Sequence, residues 1–301
     1  MFTAILTAVA PIFVCVGIGF GWFRLNHPYP SDFITRIVMN IGAPCLIISV
    51  LGKADVDAKS LLAVGSAALG VFALVLAVMA IILWATKQTF ANSLPPLLFG
   101  NNGNMGLPLC LFAFGEPGLA LGLSYFLVFV IINFTFGIGL VTWGKESAHS
   151  RFEVLRQPLV YSALIGMLML WQGIHLPQWL QNSVDLLAGL TIPLMLITLG
   201  YSLGKLGLGE IRDSILLSVM RVAGGVLAGL AVAELLDLEG VVRGVVIIQS
   251  AMPAAVSNYL LALKYTEQPG RVAGTVVLST LLSLVTLPYL ISTALQQAGL
   301  H

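Results

Sequence analysis

The chain has 301 residues, 58% of them hydrophobic and 9% charged, with a net charge of +1. Soluble domains carry about 25% charged residues, so this composition cannot cover a water-facing surface and marks an integral membrane protein. The near-zero net charge and the lack of basic runs exclude an electrostatic case for nucleic acid.

Apolar segments of spanning length recur along the chain at 3–23, 33–51, 60–86, 89–115, 118–143, 155–174, 178–201, 213–235, 240–263 and 271–296, which predicts ten membrane helices. No Lys or Arg precedes the first apolar run, so it reads as a retained helix and not as a secretory leader. With ten spans both termini share a side. Lys53, Lys59 and Arg243 fall on that side, whereas Arg24, Arg36, Lys87, Lys145, Arg151, Arg156, Lys205, Arg212, Lys264 and Arg271 fall on the other. The positive-inside rule then puts both termini outside.

Prolines reveal an internal repeat. Pro11, Pro30, Pro44, Pro108 and Pro117 are matched in order by Pro158, Pro177, Pro193, Pro253 and Pro269. The halves are 1–145 and 146–301, with five helices each. An odd number per half inserts the second half upside down, an architecture common among secondary transporters. The expected fold is therefore an all-α polytopic membrane protein of two inverted five-helix repeats.

The fourth segment carries GNNGNMGLP from Gly100 to Pro108, and the ninth carries Gln249, Ser250, Pro253, Ser257 and Asn258. Glycine and proline are poor residues for a helix interior. Backbone groups freed in hydrocarbon must find partners or line a polar cavity. Both helices are therefore expected to break near mid-membrane, at crossovers marked by Pro108 and Pro253. The alternative is a pair of packed kinks. Counting back four from each proline gives Asn104 and Gln249, two amides at positions expected to be symmetry-related.

Half-helix N-termini at such breaks present free N–H groups and partial positive charge, which favour an anion. Asn101, Asn102, Asn104, Gln249, Ser257 and Asn258 are the candidate binding side chains, with Asn40 a further candidate for the wall. Gly100, Gly103 and Gly106 allow close backbone approach. No ionisable residue lies in the core of either break, which fits a small carboxylate met by dipoles and amides. Asp185 is the candidate coupling residue, read alternatively as an outer-end residue; Arg36 and Arg221 read as snorkelling cations. Cys15, Cys45 and Cys110 lie in apolar segments at unrelated spacings, and the histidines fall in loops or at the end. No metal site, cofactor motif or catalytic constellation is expected, so the chain is not read as an enzyme.

GNNGNMGLPLCLFAFG resembles the fourth-helix signature of the auxin efflux carrier family, whose plant members are the PIN-type carriers. AMPAAVSNYLLALKY (251–265) with AGTVVLSTLLSLVTLP (273–288) is similar to helices nine and ten of its bacterial members. The resemblance implies an elevator-type transporter related in fold to bile-acid:sodium symporters. It implies a scaffold of helices 1, 2, 6 and 7, often dimeric, and a moving domain of helices 3–5 and 8–10. It also places Asn101 where the plant carriers have an asparagine on the substrate carboxylate. Two features depart from the plant pattern: Gly144 to Glu153 is only a short loop, and Ala254 stands where glutamine is usual. Bacterial relatives are associated with small dicarboxylates, which points to a small organic acid in the cytoplasmic membrane. H+ or Na+ would be the coupling ion. The alternatives are a sodium-coupled symporter of the bile-acid type and a metabolite-binding sensor or channel.

Overall fold

A computed structural model describes residues 2–53, 56–137, 140, 158–206, 211–265 and 268–297. The expected boundary between halves, the short loop 144–153, and Asp55, Lys145, Arg151 and Arg156 lie outside the described residues. Regular structure among the described residues is helical, apart from one antiparallel bridge between Gly100 and Ala254. In order the helices are α1 (Phe2–Arg24), α2 (Ser31–Ile37), α3 (Ala43–Lys53), α4 (Ala58–Ala85), α5 (Phe90–Leu98), α6 (Leu107–Ile132), α7 (Pro158–Gln172), α8 (Gln178–Lys205), α9 (Ile211–Leu235), α10 (Gly240–Ser250), α11 (Val256–Tyr265) and α12 (Pro269–Gln297).

Among the described residues six helical runs are long and apolar enough to cross a membrane: Ser31–Lys53, Ala58–Ala85, Asn102–Gly137, Gln178–Lys205, Ile211–Leu235 and Pro269–Gln296. Ala10–Arg24, Pro158–Gln172 and Gly240–Ser250 are shorter apolar helices. The run Asn102–Gly137 joins two segments that the hydropathy pattern separates. Inside it Gly115 has φ +69° and ψ −158°, so the chain turns sharply there. That conformation is open to glycine because it has no Cβ, and Pro117 follows near the start of the next stretch.

Two π-helical turns, Val38–Gly42 and Asn102–Gly106, each end two residues before a proline, Pro44 and Pro108. A proline has no N–H to give to the carbonyl four residues back. Widening the turn before it accommodates the missing bond. Ala43 N–H then reaches Val38 O, and Leu107 N–H reaches Asn102 O. Thus Pro108 does not break its helix. It stands in the first turn of α6, where the missing N–H costs little. The break itself lies upstream at Phe99–Asn101, just after Pro95 and Pro96. In the second half Pro253 does lie within the break, between α10 and α11.

The helices pack in two groups. α1, α3, α7 and α8 pack mainly on one another, and α4, α5, α6, α9, α10, α11 and α12 form the second group. In the first group α1 and α8 meet backbone to backbone. A Cβ at Gly19 would strike Ile197 O, and one at Gly200 would strike Val16 O. Without a hydrophobic drive inside lipid, such small-residue contacts let helices gain dispersion energy by approaching closely. Ile47, Val64, Leu97, Tyr125, Val245 and Ile248 are fully buried, while Leu62, Leu164, Trp171, Leu186 and Val285 point outward. An apolar exterior of this kind suits a lipid environment.

Gly19→Ala is expected to cost about 1–3 kcal/mol through overpacking and to lower the melting temperature of the purified protein. Gly17→Ala, whose Cβ would meet nothing within 4 Å, should melt as the unaltered chain does. Equal melting of the two variants would contradict the close α1–α8 contact.

Candidate functional site

The two helix breaks cross each other. Asn101 N–H donates to Pro253 O at 2.7 Å, and Ala255 N–H donates to Phe99 O at 3.0 Å. Matching Phe99 to Pro253, Gly100 to Ala254 and Asn101 to Ala255 exchanges the two bonds, so the crossing has local two-fold symmetry. Ala254 N–H donates to Ser279 Oγ at 3.1 Å, and Asn258 Nδ2 donates to Phe99 O at 2.8 Å. This register corrects the amide pairing counted from the prolines. The symmetry partner of Asn104 is Asn258, each four residues past the bridge, and not Gln249.

Gln249 has a different task. It is fully buried, its Oε1 accepts from Asn102 Nδ2 at 2.9 Å, and its main-chain O accepts from the same nitrogen at 2.7 Å. Its Nε2 donates to Gly122 O at 3.4 Å. Gln249 thus braces the crossing from behind. Gly106 is required there, because a Cβ would run into the Gln249 amide. Gly103 lies against Phe126 and Met195.

On the other side of the crossing lies a cavity of about 550 Å³, between the two helix groups. Asn101, Asn102, Gly103, Asn104 and Ser257 line it from the crossing, and Asn133 lines it from beyond the end of α6. Ser31, Asp32 and Thr35 of α2 and Thr198, Ser202 and Lys205 of α8 line the facing wall. The N–H groups of Asn102, Gly103, Asn104, Val256 and Ser257 have no acceptor among the described residues, as first-turn groups lack one within their own helix. Asn101 Nδ2, Asn102 Oδ1, Asn133 Oδ1 and Asn258 Oδ1 are buried without a protein partner. An unpaired buried polar atom costs about 1–3 kcal/mol. The cavity therefore presents unspent donors, two helix N-termini and the Lys205 ammonium against a single carboxylate, Asp32. That balance favours an anion.

A second cation stands behind the crossing. Arg221 of α9 is 3% exposed, and among the described residues its guanidinium donates only to main-chain carbonyls at the ends of α5 and α10 and in the break after α10, among them Met252 O at 3.0 Å and Leu97 O at 2.9 Å. The snorkelling expected from the sequence is thus corrected: the side chain runs inward. Gly100 must stay small because a Cβ would strike Arg221 Nη2.

The structure brings Asn101, Asn102, Asn104, Ser257, Gly100 and Gly103 to the cavity and sets Gly106, Gln249 and Asn258 behind it. Asn40 is exposed in the first π turn and does not line the cavity. Asp185 also lies apart, half-buried, paired with Lys53 and accepting hydrogen bonds from Ser49 and Gln181. Sequence reasoning missed Asn133 and Lys205 as lining residues. Asn133 is a lone amide in an apolar span, and that was its available signal. No group of three His, Cys, Asp or Glu suited to a metal occurs among the described residues.

Residues 147–291 match the membrane transport protein family. An uncharacterized transporter of Methanocaldococcus jannaschii is 24% identical over 196 residues, 63% of this chain and 64% of that protein. An uncharacterized transporter of Methanothermobacter thermautotrophicus is 26% identical over 272 residues, 86% of this chain and 87% of its own length. The probable auxin efflux carrier component 1b of Oryza sativa subsp. japonica is 25% identical over 151 residues, 46% of this chain and 26% of that protein.

Gln249→Ala removes the side-chain acceptor of Asn102 and is expected to destabilise by about 1–3 kcal/mol, read as a lower melting temperature. Asn102→Ala should cost a similar amount, and the double variant less than the two together, because the pair acts as one unit. Strict additivity in that cycle would argue against the brace.

Proposed function

We propose that this chain, which matches the membrane transport protein family over residues 147–291, is a transporter of the auxin efflux carrier type and carries a small organic anion, a mono- or dicarboxylate, by alternating access. One observation carries the reading. The free N–H groups of two half-helices converge on a cavity between two helix groups, and Asn101, whose Nδ2 is buried without a protein partner, is among its lining residues. A carboxylate at Asn101 accepts from its amide and from first-turn N–H groups on both sides of the crossing. Asn102, Asn104 and Ser257 add contacts, and Asn133 Oδ1 receives a donor of the substrate.

In this reading the ten apolar segments are ten spans in inverted halves, with both termini outside the cytoplasmic membrane. The group of α1, α3, α7 and α8, together with α2, is a scaffold, and two copies of it meet in a homodimer. The second group, which owns the crossing, is the moving part. Close backbone contact at Gly19 and Gly200 holds the scaffold together, and the cavity at the boundary is where sliding exposes the anion to either side. The reading takes carriage to occur without covalent change to the substrate and without a cofactor.

The test is melting of the purified protein against a panel of small mono- and dicarboxylates. A ligand at about a hundredfold its dissociation constant stabilises by about 2.7 kcal/mol. One or more acids should raise the melting temperature, and Asn101→Ala should lose most of that rise while Asn40→Ala keeps it. Liposomes loaded with the same acid should show saturable counterflow. No response to any acid from folded protein, or an undiminished response in Asn101→Ala, would overturn this assignment.

A further inference from the structure

Arg221 is the buried cation that the anion cavity does not contain. Its Nε donates to Met252 O at 3.0 Å, Nη1 to Leu97 O at 2.9 Å and Leu98 O at 3.4 Å, and Nη2 to Ser250 O at 3.4 Å. Every one of these acceptors is a main-chain carbonyl. Two belong to the C-terminal end of α5, and two to the end of α10 and the break after it. No carboxylate lies within ion-pair reach of Arg221 among the described residues. A buried charge without a counter-ion is strongly unfavourable unless local dipoles replace its hydration. Here two helix C-termini converge on it, and each carries partial negative charge. Orphan carbonyls at helix ends need donors, and a guanidinium with five N–H groups in a planar fork can serve several at once.

We infer that Arg221 is a tethered counter-cation. It fills a cage of main-chain carbonyls at the back of the crossing, the kind of oxygen-lined space that unwound helix ends offer to a free monovalent cation. The cage and the anion cavity stand back to back. Gly100 lines the cavity, and its missing Cβ is the space that Arg221 Nη2 borders. One layer of backbone therefore separates the fixed positive charge from the site of the anion. Arg221 contributes attraction for the anion through that layer and cannot dissociate with it. It supplies charge preference without ion coupling. Arg221 is a positioning residue, since it touches no lining atom of the cavity other than the backbone of the crossing.

This inference rests on the anion reading of the cavity, but its test reads a cation. Removing the guanidinium leaves the carbonyls without donors and opens a space for a small cation. Melting temperatures of the purified full-length protein and of Arg221→Ala are compared in sodium, potassium and choline chloride at equal ionic strength, and then with guanidinium chloride at low millimolar concentration. Arg221→Ala should melt several degrees lower in choline. It should regain part of the loss, saturably, with sodium, potassium or guanidinium. The unaltered chain should melt alike in the three salts. If Arg221→Ala does not fold, Arg221→Met, which keeps much of the apolar stem, carries the same comparison. A folded variant indifferent to all three added cations would overturn the cage. So would saturable stabilisation of the unaltered chain by sodium or potassium, because the cage is then not filled by Arg221. Neither result depends on an organic acid. Silence toward carboxylates would remove the anion reading while leaving the carbonyl cage filled by Arg221 standing.

Discussion

Two hydrogen bonds between broken helices organise this molecule: Asn101 N–H to Pro253 O and Ala255 N–H to Phe99 O. In an apolar interior a main-chain group without a partner is costly. Four half-helices that end at mid-protein create many such groups at once. The crossing satisfies part of them reciprocally. What is left sorts by polarity. The N–H groups of the departing half-helices turn to the cavity, and the carbonyls of the arriving half-helices turn the other way.

Each neighbouring residue answers to that division. Arg221 serves the carbonyl side with a guanidinium that has no carboxylate partner among the described residues. Gln249 and Asn102 lock together between the two breaks, and Ser279 Oγ accepts the N–H of Ala254. The glycines of GNNGNMG follow from crowding. Gly100 yields space to the guanidinium and Gly106 to the Gln249 amide. On the cavity side nothing among the described residues completes the N–H groups or Asn101 Nδ2. The site is a polar surface left open by the same geometry that closes its reverse side.

The two halves of the crossing are alike in backbone and unlike in side chains. Asn104 and Asn258 are equivalent by register, yet Asn258 is buried on Phe99 O while Asn104 lines the cavity. Asn101 corresponds to Ala255, and Gly103 to Ser257. The single Arg221 serves both arriving half-helices. The frame is symmetric and its lining is not.

Much of this was legible in the residues. Composition alone required a membrane protein, and Asn, Gly and Pro inside apolar spans located both breaks. The sign of potential at the breaks was readable too, because N-terminal half-helix ends without acidic neighbours are positive. The exact point of breakage was not. A proline is readable as a missing donor, but whether it breaks a helix or sits in a first turn depends on where the chain has already been interrupted. That misplaced the first break at Pro108 and paired Asn104 with Gln249. Nor did spacing tell which amides face the cavity, since helical periodicity is lost at a break. Arg221 looked like a cation near a membrane surface because sequence records its distance along the helix and not what converges on it. Only the tertiary fold brought the carbonyls of Leu97, Leu98, Ser250 and Met252 to one point. A local pattern determines which backbone groups a segment frees; the long-range packing of distant segments decides which partner each of them meets.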